Sequence, residues 1–184
     1  MVVRSTRFRS IQNSAIGAGS DFGAEQGWSK QATPRFIADV NNDSYVDIIG
    51  FGEAGVWVSE GQAPAADGSG AFKPSYLAIA DYGNATGWGA SDHVRDFGDM
   101  NGDGVLDIIG FGDASTFVAL GHIDQASGHV SWTLDAMLND FAMAAGWTSE
   151  THFRDVVDIN GDFRSDIVAG GDFTTRVTTS TMLA

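Results

Sequence analysis

Asp99-Met-Asn101-Gly-Asp103-Gly-Val105-Leu-Asp107-Ile-Ile-Gly-Phe-Gly112 is the stretch on which the reading of this chain turns. Acidic or amide side chains fall at positions 1, 3, 5 and 9 of a short loop. An Ile-rich apolar run follows, too short for a helix. The string occurs twice more. Asp39-Val-Asn41-Asn-Asp43-Ser-Tyr45-Val-Asp47 leads into Ile48-Ile-Gly-Phe-Gly52. Asp158-Ile-Asn160-Gly-Asp162-Phe-Arg164-Ser-Asp166 leads into the weaker Ile167-Val-Ala-Gly-Gly171. Working outward, an arginine stands four residues before each string: Arg35, Arg95 and Arg154. Further upstream come Gly27-Trp28, Gly87-Trp88 and Gly146-Trp147, with Phe22, Tyr82 and Phe141 at a common offset before them. So many markers in register identify an internal repeat of about 60 residues.

Each repeat reads as strands. Arg95 to Met100, Val105 to Phe111, Thr116 to Leu120 and His129 to Leu134 are four short β-like runs in the second unit. Val56 to Ser59 and Arg176 to Thr179 match the third run, and Phe72 to Ile79 matches the fourth. No capped helical pattern of useful length is present; Asp135 to Ala145 is the only candidate, and the repeat register makes it a connection. The expected fold is all-β, made of β-propeller blades of four antiparallel strands, about three per chain. The division is 22–81, 82–140 and a partial third unit, 141–184. Residues 1–21 hold a strand, Val2 to Ile11, that completes a blade.

Composition narrows the function classes. There are 24 acidic and 10 basic residues among 184, a formal net charge of -14. Such a field repels nucleic-acid phosphates and anionic membrane surfaces. No apolar run approaches the length of a membrane span. Met1 to Ile11 lacks the apolar core of a secretory signal, which leaves the cytoplasm or an unconventional export route as the expected locations. With no cysteine, thiol catalysis, disulfides and thiolate metal sites are excluded. No nucleophile-elbow or phosphate-loop motif is present, and acids that recur once per unit suit a repeated architecture better than a single catalytic centre. The chain is read as a non-enzyme.

The aspartate strings suit a hard cation. Calcium takes six to eight oxygen ligands, and a tight turn lets alternate side chains converge on one. The candidate ligands are Asp39, Asn41, Asp43, Tyr45 and Asp47; Asp99, Asn101, Asp103, Val105 and Asp107; and Asp158, Asn160, Asp162, Arg164 and Asp166. Position 7 of each string (Tyr45, Val105, Arg164) would offer its backbone carbonyl. The strings are not EF-hands, which need a glutamate at position 12 and flanking helices. The plain alternative is a set of metal-free Asx turns.

The Asp-x-Asn-x-Asp-Gly-x-x-Asp-Ile-Ile-Gly-Phe-Gly string resembles the FG-GAP calcium repeat of integrin α-subunit propellers. With the Gly-Trp and Arg-Asp elements it is more similar to the Psathyrella velutina lectin family. That resemblance implies N-acetylglucosamine binding in pockets between neighbouring blades and structural calcium in some loops. It covers about Phe22 to Asp172, although members of that family have six or seven blades.

Hairpin geometry puts the aspartate loops at one end of each blade. At the other end it gathers Trp28, Arg35 and Glu53; Trp88, His93, Arg95 and Asp113; and Trp147, His152, Arg154 and Asp172. Aromatic faces with imidazole and charged groups are what a shallow sugar pocket needs. The alternatives are a packing role for the tryptophans and a bracing role for the arginines, paired to Glu53, Asp113 or Asp172. The expected function is a lectin for glycans ending in N-acetylglucosamine, against an integrin-like protein-binding module. Three blades cannot close a ring, so two chains joined head to tail into a six-bladed homodimer are expected, each giving Val2 to Ile11 to the other.

Overall fold

A computed structural model describes residues 20–66, 70–172 and 174–180; the strand expected at Val2 to Ile11 lies outside them. Three antiparallel sheets follow one another along the chain, and no α-helix occurs among the described residues. Sheet 1 comprises β1 (Arg35–Ala38), β2 (Asp47–Phe51), β3 (Val56–Ser59) and β4 (Tyr76–Ile79). Sheet 2 comprises β5 (Val94–Gly98), β6 (Asp107–Phe111), β7 (Thr116–Ile123) and β8 (Val130–Leu138). Sheet 3 comprises β9 (Phe153–Val157), β10 (Asp166–Gly170) and β11 (Thr175–Thr178). Each sheet is a meander in which sequence neighbours pair, as short connections favour.

Two strand boundaries differ from the sequence reading. β8 runs on to Leu138 because β7 is eight residues long and pairs with it throughout, from Thr116–Leu138 to Ile123–Val130. The stretch from Asp135 is therefore partly strand, and only Met143–Ala145 forms a single 3-10 turn. In the first unit the fourth strand begins at Tyr76 rather than Phe72. Phe72 makes only an isolated bridge to Gly61.

The sheets stack face to face by a rule that repeats. The face of sheet 1 carrying Phe36, Ile49 and Phe51 meets the face of sheet 2 carrying Arg95, Phe97 and Ile108. Phe97 lies 5.4 Å from Phe36 and 5.6 Å from Phe51, ring centre to ring centre. The opposite face of sheet 2, with Val94, Ile109 and Phe111, meets Val156, Ile167 and Ala169 of sheet 3. Burial of each such side chain contributes about 1.5–3 kcal/mol. Alternation along the strands thus supplies two apolar faces per sheet, as a stack of sheets requires.

Candidate functional site

The Gly-Trp pair is explained by backbone geometry. In each unit a 3-10 turn (Ala24–Gln26, Asn84–Thr86, Met143–Ala145) ends at a glycine with φ of 88°, 93° or 90°. This left-handed conformation strains any residue with a Cβ. The following tryptophan is thrown back onto its own sheet. Trp28 lies against Gly50 and Gly52, and Trp88 against Gly110, so close that a Cβ at Gly50 or Gly110 would enter the ring. Of the glycines of Ile-Ile-Gly-Phe-Gly the first is therefore the seat for the indole, while Gly112 meets Phe117. In the third unit Ala169 replaces the first of them, and Trp147 sits on Gly171 instead, nearly buried.

The arginines brace the stack. Arg95 Nη1 donates to the carbonyls of Tyr82 (3.0 Å) and Trp88 (3.1 Å), and its guanidinium lies over the Phe51 ring of the preceding sheet at 5.0 Å. Arg154 Nη1 donates to the Phe141 carbonyl at 3.0 Å and stacks over Phe111 at 5.2 Å. Arg35 Nη1 makes the same bond to the Phe22 carbonyl at 2.8 Å. Burial pushes the Arg95 guanidinium down to about 10. Tyr82 and Phe141 have φ of 59° and 58°, an unfavourable conformation for an aromatic residue. The carboxylates of Asp81 and Asp140, each accepting the next amide, support that turn. Arg35 and Arg154 line neither the pocket at Trp28 nor the one at Trp147.

Among the described residues the arginines do not pair with Glu53, Asp113 or Asp172. Asp113 and Asp172 face the histidines instead. His93 Nε2 is 3.0 Å from Asp113 Oδ1, and His152 Nε2 is 3.0 Å from Asp172 Oδ1. His93 Nδ1 accepts the Gly89 amide, and His152 Nδ1 the Thr148 amide, each at 3.0 Å. An accepting Nδ1 puts the proton of a neutral ring on Nε2, which then donates to the carboxylate. Thr33 takes the histidine position in the first unit, where its hydroxyl accepts the Ser29 amide at 2.6 Å. It fastens the turn but leaves Glu53 exposed without an imidazole partner.

Two open pockets lie at this end. The first, about 490 Å³, is lined by Trp28, Thr33, Glu53, Trp57, Ser75 and Asn84 among others. The third unit has one of about 280 Å³ lined by Trp147, His152, Asp172, Thr174 and Arg176. Asn84 belongs to the turn opening the second unit. That turn hangs on the sheet 1 loop through Asn84 and Ala85 amides donating to Gly52 and Glu53 carbonyls, at 3.2 and 3.0 Å. The first pocket thus lies where two units meet. Trp57 and Arg176 were not singled out from sequence, yet Trp57, Phe117 and Arg176 recur at the tryptophan spacing. Strand register places them opposite Gly50, Gly110 and Ala169. Arg176 lies 5.9 Å over Trp147 and pairs with Asp140 at 2.7 Å.

The aspartate loops occupy the opposite end, about 15 Å away along a five-residue strand. All three share one wiring. Asp39 accepts the amides of Asp43 and Ser44, Asn41 accepts that of Asp43, and Asp43 accepts that of Tyr45. Asp99, Asn101 and Asp103 do the same in the second loop, and Asn160 and Asp162 in the third, where Asp158 accepts the amides of Gly161 and Phe163. Positions 4 and 6 have positive φ, at Asn42 and Ser44, Gly102 and Gly104, and Gly161 and Phe163. The ninth position is a latch. Asp47 is fully buried, with Oδ2 on the Val40 amide and Oδ1 on the Gly61 amide, both at 2.8 Å. Asp107 and Asp166 repeat this on Met100 and Gly121, and on Ile159 and Ser180. Burial, opposed by those amides and reinforced by the other loop acids, pushes Asp47 and Asp107 up to about 6.

The donors suit a hard cation in kind, being oxygen only, and each amide-bound carboxylate oxygen keeps a further lone pair. No three acidic or imidazole side chains among the described residues converge closely enough to hold a metal. A cation would therefore draw on the asparagine oxygens and backbone carbonyls as well. The third loop fits less well, because Arg164 Nη2 already pairs with Asp162 Oδ2 at 2.7 Å.

The chain is similar to the solved structure of a lectin from Agrocybe aegerita that specifically recognises non-reducing terminal N-acetylglucosamine. Identity is 38% and the TM-score 0.71, over 84% of this chain and 36% of that one. The fold is lectin-like. The chain spans little more than a third of that lectin's length. No protein-family model matches the sequence, and no curated protein does so either. No helix among the described residues is long and apolar enough to cross a membrane.

Proposed function

We propose that this chain is a carbohydrate-binding β-propeller module of the Psathyrella velutina lectin type, without enzymatic activity, for glycans ending in N-acetylglucosamine. The observation that carries the reading is the pocket floored by Trp28 and walled by Trp57, Glu53 and Asn84, in a fold shared with a lectin of that specificity. Its volume, about 490 Å³, falls in the range of small-molecule sites. An indole supplies the face that a pyranose C–H surface packs on. Glu53 accepts from ring hydroxyls, and Ser75 and Asn84 donate or accept. The pocket of the third unit would bind through Trp147, His152 and Asp172, with Arg176 in place of the second tryptophan. In the second unit His93, Asp113, Trp88 and Phe117 hold the corresponding positions.

Calcium belongs to this reading as a structural ion. Asp39, Asn41 and Asp43 with the Tyr45 carbonyl, and Asp99, Asn101 and Asp103 with the Val105 carbonyl, would hold it. Asp47 and Asp107 serve from below as latches. Bound there, the ion would neutralise the clustered carboxylates and fix the loops. The reading includes the head-to-tail homodimer, a six-bladed ring in which each copy lends Val2 to Ile11 to the other.

Titration calorimetry with N-acetylglucosamine tests the function. Binding in the millimolar to micromolar range is expected for so small a ligand in an open site. Trp57→Ala should weaken the first site about tenfold or more while the circular dichroism spectrum is unchanged. A folded wild-type chain that ignores N-acetylglucosamine and its oligomers would overturn the lectin reading.

A further inference from the structure

Among the described residues the stacking rule leaves two sheet faces without a neighbour, and they are the two halves of the same contact. Sheet 1 presents Arg35, Ile37 and Leu77 outward, with Ile37 73% exposed. Arg35 and Ile37 occupy the positions through which sheets 2 and 3 pack on the sheet before them, Arg95 and Phe97 in one and Arg154 and Val156 in the other. Sheet 3 presents Phe153, Val157 and Val177 outward, with Phe153 58% exposed. This is the side through which sheets 1 and 2 receive the next arginine.

At both internal seams that arginine stacks on a phenylalanine at the end of the second strand, Phe51 or Phe111. The third unit has Gly170 there. The space is filled from the paired strand: the Phe153 ring lies directly on Gly170, in contact with the position a Cβ would take. Arg35, for its part, is held by the Phe22 carbonyl as Arg95 and Arg154 are by theirs, and no aromatic ring lies under it among the described residues. We propose that Arg35 of one copy stacks on Phe153 of a second copy, Phe153 standing in for the aromatic that position 170 lacks. The occupant of each outward face is thus a second copy of this chain, with Ile37 packed on Val157 and Val177. The pairing rests on the homodimer proposed above and specifies its register.

The chain has no cysteine, so introduced thiols report contacts cleanly. Arg35→Cys and Phe153→Cys chains are purified separately, unfolded, mixed, refolded and treated with a short bismaleimide. The expected product is a band at twice 19.4 kDa in the mixture and in neither chain alone, because a head-to-tail seam never brings like positions together. Cross-linking of Arg35→Cys with itself would overturn the pairing. Light scattering of the wild-type chain separates the two levels: a folded monomer overturns the homodimer and the pairing with it. A dimer whose mixed variants do not cross-link overturns the pairing and leaves the homodimer standing. Phe153→Ala should raise the dimer dissociation constant about 2- to 30-fold per seam, hence more steeply for a ring with two, with unchanged circular dichroism.

Discussion

Glu60→Gln should destabilise the chain at neutral pH and cease to do so in acid. Glu60 lies just beyond β3, at the aspartate-loop end, and is fully buried. Its carboxylate accepts from Lys73 Nζ at 2.7 Å and from the Tyr76 hydroxyl at 2.8 Å, and lies 3.0 Å from His129 Nδ1. Tyr76 in turn accepts the Val130 amide at 2.9 Å, so the cluster ties sheet 1 to sheet 2. Burial alone would raise the Glu60 carboxyl. The bonds from Lys73, His129 and Tyr76 outweigh it and hold the group below the usual glutamate value. Glutamine keeps the volume but removes the charge, and turns an NH₂ toward one of these donors.

A hydrogen bond to a buried ion contributes about 1.5–3 kcal/mol. Lys73 and His129 side chains are 39% and 43% exposed, so water can take them back. That places the net loss below the three-bond total, at about 2–4 kcal/mol at pH 7. The sign with pH follows from the lowered value. Stability from Glu60 is fully present above its unfolded value, about 4.3, and is lost as pH falls through the folded one. Urea unfolding from pH 7.5 downward checks this: the midpoint difference should be about 1–2 M at the top and shrink once the pH falls below about 4.3. A difference that stays constant across the range would mean that packing, not charge, sets the effect. No difference anywhere would mean the cluster does not hold the sheets together.

Two further outcomes follow from the geometry. If the aspartate loops bind calcium in the native state only, millimolar calcium should raise the melting temperature and a chelator lower it, measured by scanning calorimetry. Asp103→Asn should abolish most of that shift in the second loop, and equal melting with and without chelator would refute the structural ion. Gly110→Ala should cost about 1–3 kcal/mol, because its Cβ would sit 2.5 Å from Trp88 Cη2 and 2.7 Å from Tyr82 Cε1. A neutral result would show that Trp88 is free to lift off its sheet.

The repeat was legible because each marker does a local, repeated job. Gly-Trp marks a left-handed glycine and the indole it releases; Gly50 and Gly110 mark the seats those indoles take. The meander followed from run lengths alone, since four short apolar runs with tight connections admit few topologies. The arginines were harder. Their carbonyl partners lie 13 residues back, and their aromatic partners, Phe51 and Phe111, belong to the preceding unit. No single repeat contains both. Position nine of the loops was ambiguous for a similar reason. An aspartate that ligates a cation and one that latches two amides look alike until Gly61 and Gly121, 14 residues on, are seen to return to it. The extension of β8 to Leu138 depended on how far β7 continues opposite it, which Asp135 and Met137 do not announce. Glu60 was invisible: Lys73, Tyr76 and His129 surround it in space only, and the next units carry Leu120 and Thr179 at its place.

The same comparison separates what the units must keep from what they have been free to change. The turn glycine, the seated indole, the bracing arginine and the buried aspartate hold the sheets at their spacing, and they are common to all three units. The positions facing the pocket vary. Thr33, His93 and His152 all accept the same turn amide, yet only the histidines also reach an acid. Trp57, Phe117 and Arg176 stand at one register position on three surfaces of different character. A framework that repeats around pockets that diverge implies unequal sites. The first combines two indoles with a free carboxylate. In the third, an ion-paired arginine lies over the single indole and the cavity is smaller. Under the lectin reading, affinity should therefore be concentrated in the first pocket. The second and third units would then add to binding chiefly when several sites on a rigid assembly engage one multivalent glycan.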